Sequence, residues 1–240
     1  MDDIDTQKRI CVSAEAVYVV SLLILSLSVA MTAASNYGVS MIVAPAYIIW
    51  MKLSESISWI TFGQCEYIVQ GALFILFCIL MKRVKIVYFS SFLTGVIYGL
   101  VLDMWRLIPV LNPDVTEPGS LPAWQNVILF ALGMVMTSFS ISLFFKTYLY
   151  PQVYDFFVKG ITAHYNLDRG KFKTAFDFTC LGVSLLLSFV LFGKIVAVGV
   201  GTVIITCFNG LLISLFGRLT DKFITVKPTF ENFAEKFALQ

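Results

Sequence analysis

The chain has 240 residues, of which 58 % are apolar and only 13 % charged, and its net charge is +2. Soluble domains carry about 25 % charged residues, so a water-soluble globule is excluded, and a charge this small offers nucleic acid no basic surface. Segments of hydrocarbon thickness divide the chain, which places it among integral membrane proteins.

A helix needs about 20 mainly apolar residues to cross a hydrocarbon core of ~30 Å. Six segments meet that length: 12–34, 63–82, 86–108, 123–146, 174–193 and 196–217. The first follows Lys8 and Arg9 and ends in small residues, as a secretory signal does, but its apolar run is long for a signal and reads as a retained helix. Two further apolar stretches, 39–53 and 150–163, are too short or too interrupted to cross. Each is expected to be a re-entrant hairpin or a helix lying in the interface. A re-entrant segment implies a cavity, because irregular backbone at membrane depth survives only where protein or water covers it.

Basic residues set the orientation. With the seam Lys82, Arg83 and Lys85 placed in the cytoplasm, all but three of the 17 Lys and Arg fall on that side; the three outside are Lys52, Arg106 and Lys194. Both termini are then cytoplasmic, and the Pro-rich loop 109–122 lies outside. The tail 229–240 carries Phe230, Phe233 and Phe237 at helical spacing, which suits a helix on the inner leaflet or one docked against a cytoplasmic loop.

The chain also matches itself at an offset of 111: Glu66 meets Asp177, Gly71 meets Gly182, and Gly99–Leu100 meets Gly210–Leu211. SLSVAM at 26–31 echoes SFSISL at 138–143 with a one-residue shift. Each half runs long, short, long, long. Three crossings per half is an odd number, so the second copy enters the membrane upside down. Inverted repeats of this kind are a common transporter architecture, with the site near the midplane where the halves meet.

A charge within a span is costly and is by default a functional candidate. Glu66 stands one turn into its span, with Gln70 at i+4 on the same face. Asp177 holds the matching place in the second half. The two acids are expected to approach from opposite sides and to bind a cation, a proton or a polar solute. The plainer reading is that each suits the positive end of a helix dipole. Asn209 is a deeper polar group that either bonds between helices or lines the cavity. Asn36, Tyr37 and Ser40 precede the first short segment, where a half-helix would aim free N–H groups at a bound group, and Pro45 is expected to kink it. Tyr148, Tyr150, Tyr154 and Asp155 hold the matching places in the second half, with interfacial anchoring as the alternative. Asp103 and Arg106 read as an ion pair or as interfacial anchors beside Trp105. Gly95 and Gly99 form a GxxxG suited to close helix packing.

Catalysis finds no footing. The single histidine, His164, is expected in a cytoplasmic loop, and HExxH, GxSxG, Walker A and GxGxxG motifs are all absent. The five cysteines form no CxxC pair and read as packing residues. No enzyme, cofactor, catalytic residue or metal site is expected.

At SNYGVSMIVAPAYI, TFGQCEYIVQGALFILFCILMKR and SFLTGVIYGLVLDMWR, the chain resembles the YczE/YitT-like bacterial integral membrane family, the YczE branch in particular. The likeness is most specific over 35–108. The positions that match the pattern are Gly38, Ser40, Pro45, Glu66, Gly71, Gly99, Asp103 and Arg106. What the resemblance implies is a small multi-pass protein of the bacterial inner membrane, a transporter without a firm substrate.

The expectation is therefore an all-α membrane protein of six transmembrane helices, built as two inverted three-helix repeats, each with a short re-entrant or interfacial segment. Residues 1–108 form the first repeat, 109–122 the outer loop, 123–222 the second repeat and 223–240 a cytoplasmic amphipathic tail. Transport of a small polar solute, coupled to protons or cations, is the expected function. Six helices in a chain of this size also resemble the substrate-binding membrane component of energy-coupling-factor importers, in which case Ala30 and Ala34 offer a small-residue patch for a partner helix. The expected partners are membrane lipids and the solute, with a homodimer or an ATPase-bearing subunit left open.

Overall fold

The computed structural model describes residues 10–82, 88–112, 121–149 and 152–230. Among the described residues, eight α-helices, one 3-10 turn and one short ribbon make up the fold. Strand β1 (Ile10–Ser13) leads into α1 (Ala14–Ala34), followed by α2 (Ala44–Ser54), α3 (Phe62–Met81) and α4 (Phe89–Trp105). Then come α5 (Ala123–Phe144), α6 (Val153–His164), α7 (Arg169–Phe192), α8 (Val200–Phe223) and β2 (Ile224–Lys227). Helices α1, α3, α5, α7 and α8 are long and apolar enough to cross a membrane. Helix α4, with 17 residues, is apolar but shorter, and at 1.5 Å per residue it reaches about 26 Å. The two short segments are indeed short helices, of 11 and 12 residues.

Local chemistry sets the helix ends. The Ser13 hydroxyl accepts from Ala16 N at 3.1 Å and starts α1. Thr61 and Gln64 close a reciprocal capping box at the start of α3. Asp168 accepts from Lys171 N at 2.7 Å, which begins α7 five residues earlier than the apolar run at 174 suggests. Gly193, at φ 67°, ends it in the left-handed conformation that favours glycine. Pro45 falls in the first turn of α2, where the helix needs no N–H from it, so it starts the helix instead of kinking it.

Helices α1 and α5 pack along their length at the centre. Small residues make that approach possible: a Cβ on Gly133 would lie 2.7 Å from Thr32 Cγ2 and 2.9 Å from Ser28 O. Hydroxyls bond across the seam, with Ser140 Oγ donating to Ser21 O at 2.6 Å and Thr137 Oγ1 donating to Ser28 Oγ at 2.8 Å. The echoing stretches 26–31 and 138–143 thus lie one on each side of this seam, 26–31 against the region of Gly133 and Thr137 and 138–143 against that of Ser21. Around it, α4 packs on α1 and α8 on α5, while α2 packs on α7 and α6 on α3. Exchanging the two halves maps each of these pairs onto the other. Two seams break the pattern: α4 packs closely on α3 and also touches α6, whereas α8 forms no comparable seam with α7 or with α2.

The first and last described strands meet. Strands β1 and β2 pair in parallel, with Cys11 opposite Thr225. The stretch expected as tail therefore begins with a paired strand, and Phe233 and Phe237 lie outside the described residues, as do Arg83 and Lys85 of the basic seam. Tyr148 Oη donates to Glu15 at 2.7 Å, and Thr229 N donates to the same carboxylate at 3.1 Å. Lys146 reinforces this end through Asp221 and Gly217 O.

Candidate functional site: a buried polar nest

Glu66 and Gln70, one turn apart on α3, are both completely buried. They face Tyr98 of α4 and the start of α6, where Gln152 and Tyr154 are buried as well. Gln70 organises the group. Its Nε2 donates to Gln152 Oε1 at 3.3 Å, and its Oε1 accepts from Val153 N at 3.3 Å. The first N–H groups of a helix have no partner within that helix, so a side chain from α3 supplies one for α6. Gly95 of α4 leaves the space: a Cβ there would lie 2.4 Å from Gln70 Oε1.

What the nest leaves open is more informative. Both Glu66 carboxylate oxygens, Gln152 Nε2 and Tyr154 Oη are buried without a hydrogen-bond partner. Gln70 and Tyr154 are close enough to act on the Glu66 carboxylate, yet none of these four atoms closes a bond. Buried polar atoms in native proteins are nearly always paired, so four orphans in one place mark a site poised for something. Among the described residues no lysine, arginine or histidine forms an ion pair with Glu66.

The other anticipated residues fall elsewhere. Asp177 belongs to a separate cluster, in which Lys173 of α7 reaches Asp177 at 3.2 Å and Asp155 of α6 at 3.7 Å. It is an ion-pair member, not a second acid facing Glu66. Asn209 of α8 accepts from Ser138 Oγ of α5 at 2.8 Å, an interhelical bond. Asn36 is exposed, in the left-handed conformation at φ 57°. Tyr37 O accepts from Gly201 N at 2.9 Å, and Thr202 Oγ1 donates to Val39 O at 2.8 Å. The loop after α1 therefore caps the start of α8 with its main chain. Ser40 opens the turn that leads into α2, its carbonyl accepting from Val43 N and Ala44 N, and it borders a narrow crevice with Val43, Thr137 and Ile205.

Asp103 and Arg106 do not pair with each other. Asp103 accepts from Gly63 N at 2.8 Å and from Thr61 Oγ1 at 2.6 Å, adding an anion to the start of α3. The Arg106 guanidinium is buried, 4.3 Å from the Trp50 ring and 5.4 Å from that of Phe62, and it bonds Asn112. Trp105 turns inward and donates to Ser26 Oγ at 3.1 Å. The three residues tie α4 to its neighbours instead of forming a belt at the interface. Ala30 and Ala34, the patch considered for a partner helix, are buried inside the protein.

Sequence alone does not single out Tyr98 or Gln152, and it gives Tyr154 either a part matching that of the residues before the first short segment or an interfacial anchor. The usable signal was Gly95 and Tyr98 on one face of α4, three residues apart, and a glutamine directly before a short helix.

Long apolar helices packed around a buried polar nest define a multi-pass helical membrane protein. The chain matches the family described as "Family of unknown function (DUF6198)" over residues 12–218, and it belongs to that family. It is similar to "Uncharacterized protein YyaS" of Bacillus subtilis (strain 168), with 25 % identity over 206 residues that span 85 % of this chain and 92 % of that one. No solved structure matches. The YczE/YitT-like name expected from residues 35–108 is not the one these matches carry.

Proposed function

We propose that the chain is a secondary transporter of a small polar solute across the bacterial inner membrane, coupled to a proton or a cation, with Glu66 at its centre. The observation that carries this reading is the Glu66 carboxylate, wholly buried and unpartnered where α3 and α4 of one half meet α6 of the other. Such a group is expensive to keep, and its loss would remove that cost, so its presence favours a use. Tyr98, Gln70, Gln152 and Tyr154 complete the binding group.

The transporter reading includes a six-crossing architecture of two inverted repeats. Parallel pairing of β1 with β2 supports it, because α1 is entered and α8 is left at one place, which favours an even number of crossings, with α4 as the sixth. The exchange symmetry of the packing supports the repeat. The contrast between the closed α3–α4 pair and the unseamed α7–α8 pair fits alternating access, in which the halves exchange poses and the nest opens to each side in turn. Cytoplasmic termini and the YczE-like label belong to the same reading. An energy-coupling-factor binding component fits less well, since its proposed docking patch on α1 is internal.

The test is a thermal-shift screen of small polar solutes on the purified protein and on Glu66→Gln, followed by uptake into proteoliposomes. A solute that stabilises the wild type, loses that effect in the variant and accumulates in vesicles is expected. Uptake that proceeds equally well in Glu66→Gln removes Glu66 from the mechanism.

A further inference from the structure

Resting on the reading of the nest as a working site, we infer that its coupling species is a proton carried by Glu66. In the closed nest Glu66 is the neutral acid, and it gives up the proton when the seam around it opens to water.

Geometry separates this from the metal-cation alternative. Hard cations take about six oxygen ligands. The nest holds two amide oxygens, but each already accepts a hydrogen bond, Gln70 Oε1 from Val153 N and Gln152 Oε1 from Gln70 Nε2, which leaves each with a single lone pair. What stays open is two carboxylate oxygens, one phenol and an amide N–H. Two of those four groups, Tyr154 Oη and Gln152 Nε2, have hydrogens to give, and an amide N–H cannot ligate a cation. A neutral carboxyl group fits the set. Its carbonyl oxygen accepts from Gln152 or Tyr154, and its own O–H donates to a tyrosine hydroxyl oxygen. Either form of the carboxyl could accept from these two donors; what favours the neutral one is that it brings no charge into a fully buried place where no cation among the described residues pairs with it.

Among the described residues no cation forms an ion pair with Glu66 to compete with this assignment. On α3 itself the neighbour is Cys65, a buried free thiol. From α4 come Tyr98 and Asp103, the latter taken up by Gly63 and Thr61. From α6 come Tyr154 and Asp155, and behind them Cys180, Asp177 and Lys173 of α7, with Lys173 occupied by the two aspartates. From α2, Tyr47 packs on Phe62 one turn away, and Lys52 pairs with Glu55. An ionised Glu66 would be a bare charge among these groups, which is the costly arrangement.

The step balances simply. A hydronium ion on the side to which the nest opens protonates the carboxylate and leaves water, and on the other side the acid returns its proton to water.

Infrared difference spectroscopy of the purified protein at neutral pH reads the proton directly. A carboxylic acid C=O stretch that is present in the wild type, absent in Glu66→Gln and shifted in Tyr154→Phe is expected. Glutamine is the nearest isostere of the neutral acid, so this variant is expected to fold, and Tyr154→Phe supplies an independent reading. If wild type and Glu66→Gln give the same acid region, the assignment is overturned. A second arm compares thermal stability in lithium, sodium, potassium and choline chlorides. Indifference to the cation is expected, and selective stabilisation by one alkali ion that vanishes in Glu66→Gln also overturns the assignment, while leaving transport intact. A protein that shows the acid band but moves no solute keeps the proton on Glu66 and removes only the transporter reading.

Discussion

Gly63 and Gly99 close the α3–α4 seam on each other's carbonyl oxygens. A Cβ on Gly63 would lie 2.0 Å from Gly99 O, and a Cβ on Gly99 would lie 2.6 Å from Gly63 O. Backbone cannot retreat as a side chain can, so Gly99→Ala should separate the helices and cost about 1–3 kcal/mol. At Gly210, its counterpart in the second half, a Cβ would meet nothing within 4 Å. There alanine should be neutral or should stabilise by up to about 1 kcal/mol, since glycine is a poor helix former. Thermal unfolding of both variants in detergent measures the contrast. Equal effects would mean that the two seams are alike after all.

Gln70 should prove more important to folding than Glu66. Its amide holds the first free N–H of α6 and the Gln152 side chain. Gln70→Leu leaves both unpaired in a buried place, at a cost of about 1–3 kcal/mol for each orphaned group. Faster amide hydrogen exchange over the first turn of α6, with α1 and α5 unchanged, is the expected signature.

Tyr148→Phe removes the 2.7 Å hydrogen bond to Glu15 and should loosen the junction of the two chain ends. Burial, and then the neighbouring Glu15 carboxylate, push the Tyr148 phenol up to about 12. A neutral acid whose ionisation is raised in the folded state adds stability below its ordinary value, and loses it as pH rises through the folded one. The wild-type junction should therefore hold through pH 10 and weaken toward 12, a change that Tyr148→Phe no longer shows. Proteolysis near residue 229, followed against pH, reads it.

Arg106→Lys keeps the charge but loses the flat stack on Trp50 and Phe62. Lysine cannot reproduce a planar contact, and a desolvated cation–π pair is worth about 0.5–2 kcal/mol. A loss of that size is expected, together with a change in tryptophan emission that Trp50→Phe abolishes.

The register of the ribbon gives a covalent test. Cys11 stands opposite Thr225, so Thr225→Cys should oxidise to an intramolecular disulfide with the native Cys11. Failure to cross-link under mild oxidation would separate the two ends and withdraw the argument for an even number of crossings.

The helices were legible in the sequence because hydrocarbon imposes length and apolarity on each crossing. Glu66 and Gln70 stood out for the same reason, as polar groups where none is cheap. Their surroundings did not, because Tyr98 and Tyr154 are ambiguous residues whose meaning depends on which helix faces which. Apolar spans carry little information about their neighbours, since most greasy faces are interchangeable. The symmetry argument misled at Asp177. Equivalent positions in two halves need not have equivalent surroundings, and Lys173, one turn earlier on the same helix, claims that carboxylate. Loop residues misled in another way: Tyr37 and Val39 act through their carbonyls, and sequence gives no sign of that.

The ribbon of first and last strands makes the fold a ring in all but covalent bond. A short peptide joining the end of β2 to the start of β1 would close it without disturbing a helix, and new termini could then be opened elsewhere in the circle. Such permuted chains would show whether the clasp is needed to assemble the bundle or only to keep it shut once made.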